Sequence, residues 1–223
     1  PMSGQVTVTW LGHAAFRVVS PGGRVILFDP WLDNPKCPPQ WKSLDRVDLI
    51  LPTHGHFDHL GNTVDLAKKH NAKVVAIYEI SVWLESKGVT TVIGANKGGT
   101  VDVDGLRVTM VPADHSSGIA EGGQVVYGGD PVGFVVQLEN GFRIYHAGDT
   151  NVFGDMRLIG RLYRPDLALL PIGGHFTMGP LEAAEAIRLL GVSRVIPMHY
   201  GTFTILAGTP DQLREFTRDV PGV

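Results

Sequence analysis

A single cysteine, Cys37, stands among the 223 residues. The chain can therefore form no internal disulfide and no cysteine-rich zinc site, and a reducing, cytoplasmic compartment is expected. No run of about 18 apolar residues occurs, so no membrane span is expected. The opening stretch PMSGQVTVTW lacks the basic-then-apolar pattern of a secretory signal. Basic residues are not in excess, since 19 Lys and Arg face 22 Asp and Glu for a net charge of −3. No bulk attraction to a nucleic-acid backbone follows, and no nucleic-acid partner is expected. Charged residues make up only 18% of the chain against 43% hydrophobic, too apolar for disorder. A chain of this mass should bury about 70% of its unfolded surface and expose roughly 10,000 Å². One domain over residues 1–223 is the expectation.

What is abundant is glycine, proline and histidine, with 28, 15 and 9 copies. Val6, Val8 and Trp10 alternate with polar residues, as do residues 16–19, and both read as half-buried strands. RVILFD (24–29), DLILP (48–52) and KVVAIY (73–78) are nearly continuous apolar runs, the pattern of strands buried on both faces. Residues 62–70 read as a helix with Asn62 as N-cap, and residues 80–87 as a short helix stopped by Gly88. In the second half, 106–111, 133–138 and 142–146 read as strands, the last two joined by a turn at Glu139-Asn140-Gly141. LALLP (167–171) and RVIPMH (194–199) are further buried strands. Between them a helix starts with Pro180 and stops at Gly191. A last helix opens on the capping box Thr209-Pro210-Asp211-Gln212 and carries Leu213 and Phe216 as apolar positions. The Pro-rich stretch 30–41 and the Gly-rich stretch 116–131 read as loops whose aromatic residues are candidate pocket walls. Strands alternating with helices in both halves indicate α/β layers.

The strongest chemical signal is Thr53-His54-Gly55-His56-Phe57-Asp58-His59. Four groups able to bind a metal follow directly on a buried strand. In extended backbone His54 and His56 point the same way, and Asp58 and His59 then turn into the next helix. Imidazole and carboxylate suit zinc and its first-row neighbours. One tetrahedral ion cannot readily use all four groups from so short a segment, whereas two adjacent ions can. Three later segments end apolar runs with further candidates: Asp114-His115, His146-Ala147-Gly148-Asp149 and His199-Tyr200. Each alone is weak. Together they fall at the C-terminal ends of strands, where α/β sheets collect their sites.

With these motifs the chain resembles the metallo-β-lactamase-fold hydrolase superfamily. WLGHAAF (10–16), FDPWL (28–32), THGHFDHLGN (53–62), AGDT (147–150), PIGGHFTMGP (171–180) and MHYGTF (198–203) are similar to one branch, the bacterial and archaeal metal-dependent hydrolases. That branch is related to ascorbate-6-phosphate lactonases and to phospholipases D acting on N-acyl-phosphatidylethanolamines. The resemblance implies a four-layer αβ/βα sandwich with a dinuclear site at one edge. It implies that His54, His56 and His115 bind one ion, that Asp58, His59 and His199 bind a second, and that Asp149 bridges them. Zinc is the first expectation, with manganese, iron and nickel able to use the same ligands. Two cations would acidify a shared water into a nucleophile and polarise the electrophile. The expected activity is hydrolysis of an ester-like bond (lactone or carboxylic ester) or a phosphodiester in a small molecule. The alternatives are a non-catalytic metal-binding protein and a nuclease of the same superfamily. Having both His59 and Asp149 sets the chain apart from β-lactam-cleaving relatives. A homo-oligomer is compatible with the sequence.

Five residues are expected around that centre. Asp29, ending a buried strand, should sit behind the metal histidines and accept an imidazole N–H. His13 is expected at the site's edge. His146 is a candidate for the layer behind the ligands or for the core. Tyr200, beside His199, is a candidate pocket residue. His175, between Gly173-Gly174 and Phe176, is expected to act on the substrate as an acid or oxyanion donor. Asp58 and Asp149 complete the expected catalytic set.

Overall fold

The structure, a computed structural model, describes residues 4–223. Its first sheet has six strands in chain order: β1 (Thr7–Trp10), β2 (Phe16–Val19), β3 (Val25–Phe28), β4 (Leu49–Leu51), β5 (Lys73–Ile77) and β6 (Val92–Ala95). β1, β2 and β3 pair antiparallel, and β3 to β6 run parallel. Helices α1 (Phe57–Leu60) and α2 (Thr63–His70) follow β4, and α3 (Tyr78–Ser86) follows β5. The chain continues through β7 (Thr100–Val103) and β8 (Leu106–Pro112) into a two-stranded ribbon of β9 (Ile119–Glu121) and β10 (Gln124–Val126). Next come β11 (Val132–Gln137), β12 (Arg143–His146), α4 (Met156–Tyr163), β13 (Leu167–Pro171), α5 (Pro180–Leu190), β14 (Val195–Met198) and α6 (Pro210–Phe216). The second sheet has the order β14-β13-β12-β11-β8-β7.

Period-two alternation divides the second sheet between two cores. Val132, Phe134 and Val136 of β11 face the first sheet, as do Ile144 of β12 and Leu167 and Leu169 of β13. Their neighbours Val135, Tyr145, Ala168 and Leu170 face α4, α5 and α6. Leu66, Ala67, Ile80 and Leu84 of α2 and α3 pack on the first sheet. The result is the four-layer αβ/βα sandwich, exposing 9979 Å².

The apolar runs at 24–29, 48–52, 73–78, 167–171 and 194–199 all hold strands, although Val195, Ile196 and Pro197 of β14 are only half-buried, and α5 has its expected ends, with Gly191 closing it at φ 66°. Several expectations need correction. Asn62 does not cap α2. Its side chain instead accepts from the Leu32 N–H and donates to Asp33, tying down the Pro-rich loop. The stretch 116–131 is not all loop, because the β9–β10 ribbon forms within it. Phe216 on α6 faces outward and is 42% exposed. No helix among the described residues is long and apolar enough to cross a membrane.

Candidate functional site

The parallel strands β3, β4, β12, β13 and β14 end at one edge, where both sheets meet. Asp29 follows β3, His54 to His59 follow β4, His115 follows β8, Asp149 follows β12 and His199 follows β14. Asp149 lies at the middle of the resulting cluster. Its Oδ2 is 3.0 Å from His59 Nε2, 3.0 Å from His199 Nε2, 3.5 Å from His115 Nε2 and 3.7 Å from His54 Nε2. Asp58 Oδ2 is 3.4 Å from His59 Nε2 and 3.6 Å from His199 Nε2. Candidate ligand atoms of His54, His56, His115 and Asp149 all lie within 4.8 Å of one another, and so do those of Asp58, His59, His199 and His13.

These approaches are close, yet several atoms go without hydrogen-bonding partners. Nε2 of His54, His59 and His199, and Oδ1 of Asp149, are buried with none. Each such atom costs about 1–3 kcal/mol. Buried polar atoms converging without partners are what a cation site presents, so this donor set fits divalent metal ions.

Behind the cluster the imidazoles are fixed by their other nitrogens. Asp29 is fully buried and plays its expected part: Oδ2 accepts from His59 Nδ1 at 2.7 Å. It also takes the Thr53 backbone N–H and hydroxyl, each at 2.7 Å. With its own proton given to Asp29, Thr53 Oγ1 accepts from His54 Nδ1 at 2.9 Å. One carboxylate thus sets two imidazoles so that both lone pairs face Asp149. Sequence reasoning missed Thr53, whose one signal was its place at the strand end just before His54. Gly148 is needed beside it: at φ 63°, an added Cβ would meet the Val132 carbonyl at 2.8 Å and Thr53 Cβ at 2.9 Å.

His13 is buried and lies closer in than an edge residue. Its Nε2 donates to Asp58 Oδ2 at 2.7 Å, and its Nδ1 accepts from Thr202 Oγ1 at 2.7 Å. Asp29, His13 and His199 all hold left-handed backbone, with φ of 43°, 53° and 57°. Non-glycine residues tolerate this only where the surroundings fix them. His146 is a positioning residue. It donates through Nε2 to the Ala14 carbonyl and accepts the Gly148 N–H, pinning the Asp149 turn while stacked on Phe28.

Two expectations fall away from the cleft. Tyr200 stacks on Trp10 at 5.3 Å and lines no part of it. His175 is exposed, because left-handed backbone at Gly174 and His175 turns the side chain outward. Phe176 takes the wall position instead, with the His175 ring edge-on to it at 4.5 Å. The cleft above the cluster has a volume of about 580 Å³.

In the metal-free chain the cluster shares protons unequally. Burial would lower both His59 and His199, but the carboxylates around them, Asp149 foremost with Asp58 and, for His59, Asp29, together outweigh it, lifting His199 to about 9 and His59 well above its ordinary value. Burial dominates elsewhere, lowering His13 to about 4 and also depressing His54, His56 and His115. Stability from His59 and His199 is complete below about pH 6.5, the ordinary value, and that from His199 is lost as pH rises through about 9. The four depressed histidines act oppositely, weakening the fold as pH falls below about 6.5. The metal-free chain should therefore be most stable near pH 6.5. His199 alone should cost it on the order of 3 kcal/mol by pH 9. Thermal melts of chelated protein from pH 5 to 9 check this, and a midpoint climbing steadily to pH 9 would contradict it.

A family described as the beta-lactamase superfamily domain matches residues 24–200. A metal-dependent hydrolase of Rubrobacter xylanophilus is 53% identical over 98% of this chain and 91% of its own length. Another, from the archaeon Methanopyrus kandleri, is 53% identical over 96% of this chain and 90% of its own. Among solved structures, a metallo hydrolase from Ignicoccus hospitalis superposes with a TM-score of 0.83 at 38% identity, covering 96% of this chain and 91% of that one. The chain belongs to the metal-dependent hydrolases of the beta-lactamase superfamily.

Proposed function

We propose that the protein is a dinuclear hydrolase that cleaves an ester-like or phosphodiester bond in a small molecule. The observation carrying this reading is the central place of Asp149 Oδ2, within 3.0–3.7 Å of imidazoles from both halves of the chain. His54, His56 and His115 would hold one ion and Asp58, His59 and His199 the other, with Asp149 placed to serve both. Ser116 Oγ lies 3.2 Å from His56 Nε2, which leaves Nδ1 of that ring for the metal. When bound, two divalent ions, zinc by preference, would lower the pKa of a shared water and polarise the bond to be cleaved.

The chain's own residues do the rest. Asp29 and Thr53 hold His59 and His54 in the tautomer with Nε2 free. His13 keeps Asp58 ionised by donating to it, and Asp58 also stands well below the ordinary carboxylate range beside His59. The two carboxylates offset part of the metal charge. The open cleft admits the substrate directly over Asp58, Asp149 and His199, which all line it.

Reconstituted protein should hold two ions per chain by elemental analysis. Turnover of a generic aryl ester or phosphodiester should vanish on chelation and return with zinc, manganese or nickel. Metal content that never exceeds one ion per chain would rule out the dinuclear reading.

A further inference from the structure

Four large apolar side chains stand in water around the cleft mouth. Phe57 is 63% exposed, Phe176 60%, Val125 77% and Phe203 41%. Exposed apolar residues scattered singly are ordinary. These four are not scattered: all line the same cavity, and they come from α1, the 173–179 loop, the ribbon strand β10 and the loop after His199. Two of them are braced from behind. Trp31 meets Phe57 edge-on at 5.5 Å and Phe203 at 6.1 Å. That half of the wall is thus held in place before a ligand arrives.

The charge pattern is equally one-sided. No Lys or Arg lines the cleft, and its carboxylates are Asp58 and Asp149 at the floor. An anionic group on the substrate away from the scissile bond would find no cation there. A volume of about 580 Å³ lies in the range of small-molecule sites, which are mostly apolar with a few polar groups at one end.

We propose that the substrate is an uncharged ester carrying an apolar acyl or aryl group, seated between Phe57, Phe176, Phe203 and Val125 with its carbonyl over Asp149. This rests on the hydrolase reading above and narrows it against phosphorylated and other anionic substrates. Full burial of a methylene is worth about fourfold in binding. A partly open cleft should return roughly two- to fourfold for each one.

The test uses metal-loaded protein with p-nitrophenyl acetate, butyrate and hexanoate, each corrected for its rate with hydroxide, against bis(p-nitrophenyl) phosphate. We expect kcat/KM to rise at least about tenfold from acetate to hexanoate and to exceed that for the anionic diester. Phe176→Ala should flatten the chain-length dependence, and Phe176→Leu should restore most of it. Calorimetry with methyl naphthyl ketone, which cannot be hydrolysed, gives a second readout. It should bind with a negative heat-capacity change, weakened by Phe176→Ala. A flat series, or preference for the anionic diester, overturns the apolar substrate while leaving the hydrolase reading intact. No turnover of any compound removes the hydrolase reading, and the apolar cleft is then judged on the ketone alone: binding that depends on Phe176 upholds it, and no binding refutes it.

Discussion

Asp149→Asn should lower turnover by at least about 10³-fold and reduce bound metal below two ions per chain, in a protein that still folds. The carboxylate lies among the free Nε2 atoms of imidazoles from both proposed ion sites. An amide keeps the shape but removes the negative charge and half the acceptor capacity. Two cations would then face each other across a neutral group. The fold should survive because Asp149 sits in the turn after β12, outside both cores. An internal check is available. Without Asp149, His59 and His199 lose the largest of the charges that raise them, so the metal-free variant should lose part of the stability decline above pH 6.5. Two ions and ordinary turnover in the variant would remove Asp149 from the bridge.

Asp29→Ala should be damaging in a different way. It touches no substrate, yet it takes the Thr53 N–H, the Thr53 hydroxyl and His59 Nδ1. Removing it leaves at least two buried donors unpaired, at about 1–3 kcal/mol each. A loss on the order of 3–5 kcal/mol is expected by denaturant unfolding of chelated protein. Metal affinity should fall about 10–100-fold as His59 and His54 lose their orientation. Asp29→Asn should recover part of the stability, since its carbonyl can still accept. It should recover little metal affinity, because its NH₂ must face one of the same donors. A competition titration with a chromophoric chelator separates the two effects, and unaltered affinity in Asp29→Ala would refute the orienting role.

The sequence made these sites legible wherever local chemistry was dense. Three histidines and an aspartate within six residues announce a metal, and the buried runs ending in Asp29, His54 and His199 place it at one edge. What stayed hidden depended on tertiary company. Helix α4 contains Gly160, a poor helix former, because an added Cβ there would lie 2.2 Å from the Leu190 carbonyl of α5. The close approach that requires the glycine also erases the helical signal. Strands β6 and β7 are short and partly exposed, with no apolar run to mark them. His175 and Phe176 are adjacent, and only the left-handed turn decides which of them reaches the cleft. Thr53 is a polar residue beside a motif, and nothing in the sequence links it to Asp29.

The turn at residues 11–15 has a consequence for how the protein is made. The His13 carbonyl accepts the His199 N–H at 2.9 Å, and the Ala14 carbonyl accepts His146 Nε2 at 2.9 Å. The hairpin bearing them is made well before its partners. At ordinary elongation speeds roughly 10–40 s separate His13 from His199. Throughout that interval the His13 carbonyl has the Trp10 indole N–H but not the His199 N–H, and Asp58 is made long before Thr202. The first sheet can pair during translation, but the edge where the halves meet cannot close until β14 and His199 have been made. Completion of the cluster is therefore timed by the synthesis of His199 and not by the appearance of the histidine motif.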